Sequence, residues 1–274
     1  VFFGVLLITF LSVLFGHYLK KKKHLPSQGS EFLDLLIMGR QLTLPLFIGT
    51  LVATWYGGIF GVTEIAFKKG IYNFITQGFF WYLSYLIFAF FLIERIHRYK
   101  ALTLPNLIHQ MFGPLSSRIS AVFNFFNVLP IAYTISLGLF LKAFLGGSLI
   151  ANMAIGTGIV MLYSTLGGFR AVVFSDLVQF FVMCSGVALA VFFAYQTFGG
   201  YEFLQQNLPQ KHFSPMSDEG VSTTLVWGFI ALATLVDPNF YQRCFAAKNT
   251  YVAKRGIIIS TFIWFLFDLC TTFG

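Results

Sequence analysis

The chain has 274 residues, 57% of them hydrophobic and only 10% charged, with 36 phenylalanines, whereas soluble domains carry roughly a quarter charged residues. That balance excludes an ordinary soluble fold, because lipid tails can solvate so much apolar surface and a single aqueous core cannot hide it. The net charge of +8 does not point to nucleic acid, since the basic residues lie in short loops between apolar runs and form no stripe interleaved with aromatics.

A hydrocarbon core about 30 Å thick takes roughly 20 apolar residues of helix to cross. Eight runs meet that length: 1–19, 44–67, 74–93, 119–144, 149–166, 171–198, 223–240 and 256–273. They are too long for barrel strands and lack the period of two that such strands need. The first run is followed by Lys20–Lys23; a secretory signal has its charges ahead of the apolar core, so this run reads as a spanning helix. The chain opens on Val1 and stops inside the eighth run, which leads to the expectation that both ends are cut. The fold class expected is an all-α polytopic membrane protein.

Charge orients the spans. The loops after the first, third, fifth and seventh runs hold all but four of the 18 basic residues, namely Lys20–Lys23, Arg40, Arg95, Arg98, Lys100, Arg118, Arg170, Arg243, Lys248, Lys254 and Arg255. Lys68, Lys69, Lys142 and Lys211 occupy the other side. The bias predicts that the first set of loops is cytoplasmic, with the N-terminus outside the cytoplasmic membrane. The longest outer loop, 199–222, is expected to form an ordered cap with a short helix.

The second run carries Gly57, Gly58 and Gly61 at mid-membrane, each weakening a helix by roughly 1 kcal/mol relative to Ala. Two readings stand. A broken helix exposes carbonyls that bind a small cation, as in secondary transporters, or the glycines let two helices approach closely. The seventh run ends in Asp237-Pro238. Proline removes a backbone donor and disturbs the preceding turn, and an intramembrane acid is a functional candidate by default; its local alternative is a cap or a pair with Arg243. Asp176 lies near the start of the sixth run, where a helix N-terminus stabilises negative charge. Glu64 and Asp268 sit in apolar surroundings with no evident partner. Tyr133 and the Phe-rich faces read as packing, as do Cys184, Cys244 and Cys270, whose spacing suits neither a disulfide framework nor a metal site.

Four segments in order carry a family resemblance: Gly39-Arg40; Leu102-Thr103-Leu104-Pro105; Tyr163–Gln179, with Gly167-Gly168-Phe169-Arg170 and Ser175-Asp176; and Asp237–Asn249, with Gln242-Arg243 and Ala247-Lys248. Together they resemble the sodium/solute symporters, relatives of the sodium/glucose and sodium/proline transporters, from about residue 38 onward. The resemblance implies a LeuT-like bundle of two inverted five-helix repeats. Residues 1–19 would be the extra leading helix, 44–198 the first repeat, and 223–274 the first two helices of an incomplete second. It implies backbone carbonyls of Ala53 and Tyr56 as sodium ligands, Asp176 on the cation's exit path, and further ligands on a helix absent from this chain.

Gly57, Gly58, Phe60, Thr234 and Asp237 are then the positions expected to face a small-molecule solute. Sugar-transporting members carry polar side chains where this chain has Phe60, Ile230, Ala233 and Thr234, so a smaller or more apolar solute is expected. The function implied is sodium-driven symport by alternating access, with sodium as the coupling ion, no other cofactor, and the lipid bilayer and no nucleic acid as surroundings. A rival from another class is a transporter-like sensor ahead of a signalling kinase. An enzyme is not expected, for no nucleophile–base pair, metal cluster or phosphate loop is present in the sequence.

Overall fold

In the computed structural model, residues 2–22, 28–55 and 59–274 are described. Helices succeed one another as α1 (Phe2–Lys22), α2 (Gln28–Ile37), α3 (Leu44–Trp55), α4 (Ile59–Lys69) and α5 (Phe74–Arg98). There follow α6 (Leu104–Phe112), α7 (Pro114–Asn127), α8 (Ile131–Leu145) and α9 (Leu149–Phe198). The chain continues through α10 (Tyr201–Asn207), α11 (Gly220–Ala231), a 3-10 turn at Leu232–Val236, α12 (Pro238–Ala246) and α13 (Thr250–Phe273). Pairing of β type among the described residues is confined to one parallel bridge between Leu42 and Ala247.

Among the described residues, five helical stretches are long and apolar enough to cross a membrane: Phe74–Arg98, Pro114–Leu145, Gly167–Phe198, Gly220–Ala246 and Thr250–Phe273. A sixth arises if α3 and α4 form one broken span, their axes bent by 59°. At the first and fifth runs read from the sequence, α1 and the first arm of α9 carry the apolar stretches Leu7–Gly16 and Leu149–Leu162. Among the described residues the count by length and composition is thus five spans, or six with the broken pair.

Interruptions fall where the local chemistry puts them. Within α9, Gly168 has φ 63° and ψ −164°, a region only glycine occupies at low cost, and the helix breaks there between the fifth and sixth runs. Leu35 closes the site from the side: a Cβ on Gly168 would lie 2.7 Å from its Cδ1 and 3.0 Å from its carbonyl oxygen. Pro238 opens α12 at a position whose missing N–H costs nothing, after a 3-10 turn that closes α11. α5 carries π-helical turns at Phe74–Phe79 and Phe88–Leu92.

The core is built by α3, α5, α12 and α13, whose fully buried side chains include Phe47, Val52, Tyr85, Phe88, Phe245, Ile257 and Trp264. α1 lies against the second arm of α9, with Gly16 close to Ala171 and Phe15 edge-on to Phe174 at 5.6 Å. Small residues at such contacts let membrane helices approach.

Loops of alternating order gather on two faces. On one, Arg40 donates to the carbonyls of Lys100, Ala101 and Phe245, and Arg170 pairs with Asp34, which brings together the loops after the first, third, fifth and seventh runs. On the other, Lys69 pairs with Glu219, the Ile71 N–H donates to the His212 carbonyl at 2.8 Å, and Asn73 donates to Thr272 at 3.1 Å. The outer loop does form an ordered cap, with α10 and a 3-10 turn at Gln210–Phe213.

Candidate functional site

The inner half of the broken second run, α3, and the segment after the second break, α12, are stitched together at their feet. The Leu42 N–H donates to the Ala246 carbonyl, and the Lys248 N–H donates to the Leu42 carbonyl, both at 3.0 Å. Gln242 adds a bond from Nε2 to the Leu36 carbonyl at 3.0 Å. Far apart in sequence, α3 and α12 are thereby held side by side.

Between them and α9 lies a buried polar cluster. Thr50 and Thr54 stand one turn apart on one face of α3, and the Thr54 hydroxyl donates to the Thr50 carbonyl at 2.8 Å. The Thr50 hydroxyl donates to Asp176 Oδ2 at 2.5 Å. Arg243 of α12 sets its guanidinium 3.6 Å from the same carboxylate oxygen and donates also to the Thr54 hydroxyl and, at 3.1 Å, to the Asn239 carbonyl. Its guanidinium carbon lies 5.8 Å from the centre of the Phe169 ring. Asp176 is 9% exposed and Arg243 4%. A charge so buried needs a partner, since an unpaired ion in low dielectric costs several kcal/mol; each supplies the other's.

Two readings of the acids change. Asp176 sits about two turns beyond the break at Gly168, outside the first turn where a helix terminus acts, so Thr50 and Arg243 hold it rather than the helix end. Asp237 does not pair with Arg243 in an ion pair; it caps α12, its Oδ1 accepting from the Asn239 N–H at 2.7 Å, a role worth about 1 kcal/mol. Glu64 and Asp268 are not partnerless either. Lys68 bonds Glu64 at 2.5 Å on the exposed face of α4, and the Tyr82 hydroxyl donates to Asp268.

Of the expected cation ligands, Ala53 is half-buried in the last turn of α3. Tyr56, Gly57 and Gly58 lie outside the described residues. Thr234 is buried in the 3-10 turn, where its carbonyl accepts from the Asp237 N–H at 3.2 Å. Phe60 is exposed on α4.

The side chains that sequence reasoning missed are Thr50 and Arg243 as partners of Asp176, Thr54 as a partner of Arg243, and an aromatic group at the end of α3. Trp55 packs on Trp81, Tyr85 and Trp264 with ring centres 6.1, 5.4 and 5.9 Å away. Tyr85 lies 4.5 Å from Trp264 and stacks on Phe240 at 5.4 Å. The i, i+4 pair of hydroxyls was the available signal for the first group; nothing local marks the second. A separate cavity of about 650 Å³ opens between α5, α6 and α7, against Ala233, Val236 and Tyr241.

The model of the sodium:solute symporter family matches residues 36–273. Sodium/glucose cotransporter 1 of Oryctolagus cuniculus is 24% identical over 69% of this chain and 34% of its own length. Sodium/glucose cotransporter 4 of Mus musculus is 25% identical over 68% and 32%, and the sodium/pantothenate symporter of Escherichia coli (strain K12) is 28% identical over 61% and 36%. The chain thus spans about a third of the length of these relatives.

Proposed function

Since the chain belongs to the sodium:solute symporter family and its apolar helices make it a multi-pass membrane protein, we propose that it forms part of a secondary transporter that moves a small solute with sodium. The observation that carries this reading is the pairing of two interrupted helices, α3–α4 and α11–α12, joined at Leu42 and Ala247 with a buried carboxylate between them. Interrupted helices side by side near mid-membrane are where transporters bind ion and substrate.

In this reading the Ala53 and Tyr56 carbonyls contribute to a sodium site, and Asp176 lies on the ion's path to the cytoplasm. Gly57, Gly58, Phe60, Thr234 and Asp237 face the solute. The fold is a LeuT-like inverted-repeat bundle, with eight spans in this chain, and transport proceeds by alternating access. The basic loops gathered around Arg40 and Asp34–Arg170 face the cytoplasm, and the N-terminus lies outside. Phe60, Ile230 and Ala233 supply no hydrogen bonds from their side chains, which favours a solute less polar than a sugar. Sodium enters as coupling ion and no other cofactor is involved.

The test is uptake by the intact protein in proteoliposomes. An inward sodium gradient should drive saturable accumulation of a solute first selected by thermal shift, and a potassium gradient should not. Accumulation that ignores sodium would remove the coupling.

A further inference from the structure

We propose that the cavity of about 650 Å³ between α5, α6 and α7 is a binding groove for an anionic phospholipid. The inference rests on the membrane orientation given above and adds a ligand that the transport reading does not use.

Local structure fixes the walls. The Thr103 hydroxyl caps α6 by accepting from the Asn106 N–H at 3.3 Å. Gly113, at φ 86°, turns the chain into α7, and the Ser117 hydroxyl donates to the Pro105 carbonyl at 2.9 Å. α6 and α7 are thereby held as one hairpin. Leu104, Ile108 and Met111 recur at helical spacing along the groove side of α6, and Phe123 lines it from α7. The volume lies in the range of about 300–1,000 Å³ that small ligands occupy, and walls of this kind suit an acyl chain.

The groove is not apolar throughout. Arg95 and Tyr99 line it where α5 ends, among the loops that face the cytoplasm in the proposed orientation. Tyrosine is at home at that depth, where its ring meets the headgroups. Arg98 lies one turn beyond Arg95 on the same face. Among the described residues neither arginine enters an ion pair, and the neighbouring acid, Glu94, pairs with Lys254 at 3.1 Å.

Charge decides between occupants. A further helix laid into the groove would cover Arg95 with apolar surface, and a covered charge without a partner is costly. A lipid phosphate supplies the partner, which a guanidinium binds through a two-pronged fork. Anionic lipids also populate the cytoplasmic leaflet, where each basic residue near the surface strengthens attraction about fivefold. Another wall reaches the transporter's second break. Ala233 and Val236 belong to the 3-10 turn ahead of Asp237, and Tyr241 donates to the Leu235 carbonyl at 2.9 Å. A lipid tail seated there packs directly on that turn.

Native mass spectrometry of the intact purified protein tests this, with phosphatidylglycerol and phosphatidylcholine of the same chains as titrants. Phosphatidylglycerol should bind about fivefold tighter, and Arg95→Gln should remove the preference. Arg255→Gln, which deletes an exposed charge outside the groove, should keep it. Ser120→Trp, on the groove wall, should weaken both lipids. Glycerol phosphate, a headgroup without tails, should not compete; competition would assign the site to free phosphate and overturn the lipid. Equal binding of the two lipids overturns the proposal, as does a loss in Arg255→Gln equal to that in Arg95→Gln. Absence of bound lipid from a protein that still takes up solute with sodium would put a protein segment in the groove. That result overturns the proposal and leaves the symport reading standing. Lipid preference without sodium-driven uptake supports the site and removes that reading.

Discussion

Arg243 and Asp176 form a buried ion pair at 3.6 Å across α12 and the second arm of α9, and both reach α3, through Thr54 and Thr50 respectively. Three helices are tied through one guanidinium and one carboxylate. Removing either partner strands the other charge, which in buried pairs costs about 3–5 kcal/mol. We expect Arg243→Gln and Asp176→Asn each to lower the thermal unfolding midpoint sharply, and the double variant to lie well above the sum of the two losses. Additive losses in that double-mutant cycle would show that the pair is not coupled.

Asp176→Asn carries a second expectation. If sodium leaves past this carboxylate, the variant should need a higher sodium concentration for half-maximal uptake, at solute affinity within about twofold, a change below 0.5 kcal/mol. An unchanged sodium dependence would leave Asp176 a structural partner of Arg243 only.

Asp237 invites a cleaner dissection. As a cap, its replacement by Ala should cost about 1 kcal/mol and by Asn a few tenths, because Asn caps nearly as well. Unfolding midpoints check the cap; uptake checks the solute role. Were Asp237→Asn to keep stability yet abolish uptake, the carboxylate would be acting on ion or solute as well as on the Asn239 N–H.

Gly168→Ala meets two obstacles, a backbone region costing of order 1–3 kcal/mol for other residues and the Leu35 side chain. A loss of folded yield or of unfolding midpoint is expected. Pairing it with Leu35→Ala should recover only the steric share. Full recovery would mean that φ at this position is not a constraint.

The two faces make a topological prediction. In a background lacking Cys184, Cys244 and Cys270, single cysteines at Ser116 and Asn249 should resist a membrane-impermeant maleimide applied to intact cells, and one at Ser214 should react. Labelling of Ser116 from outside would overturn the orientation.

Much of the architecture was legible because membrane helices are written locally. Apolar length and the Asp237-Pro238 step each act within a turn or two, and the structure breaks the helix at the latter; the break at Gly168 was not read. What could not be read is long-range. Arg243 looked like the partner of Asp237, six residues away, whereas the fold delivers Asp176 from another helix and leaves Asp237 to cap. Asp268 looked isolated because Tyr82 lies far off in sequence. The convergence of Trp55, Trp81, Trp227 and Trp264 has no signature along the chain, since each sits among other large apolar residues.

The parallel bridge between Leu42 and Ala247 is short, yet it decides which parts of the molecule can move separately. Backbone bonds shielded from water are slow to exchange, and here they weld the feet of α3 and α12 into one lever arm. A tilt of α12 is then passed to α3, and the bonds of Arg243 to Thr54 and Asp176 extend the coupling to α9. Two backbone hydrogen bonds thus couple α3 to α12 at their feet.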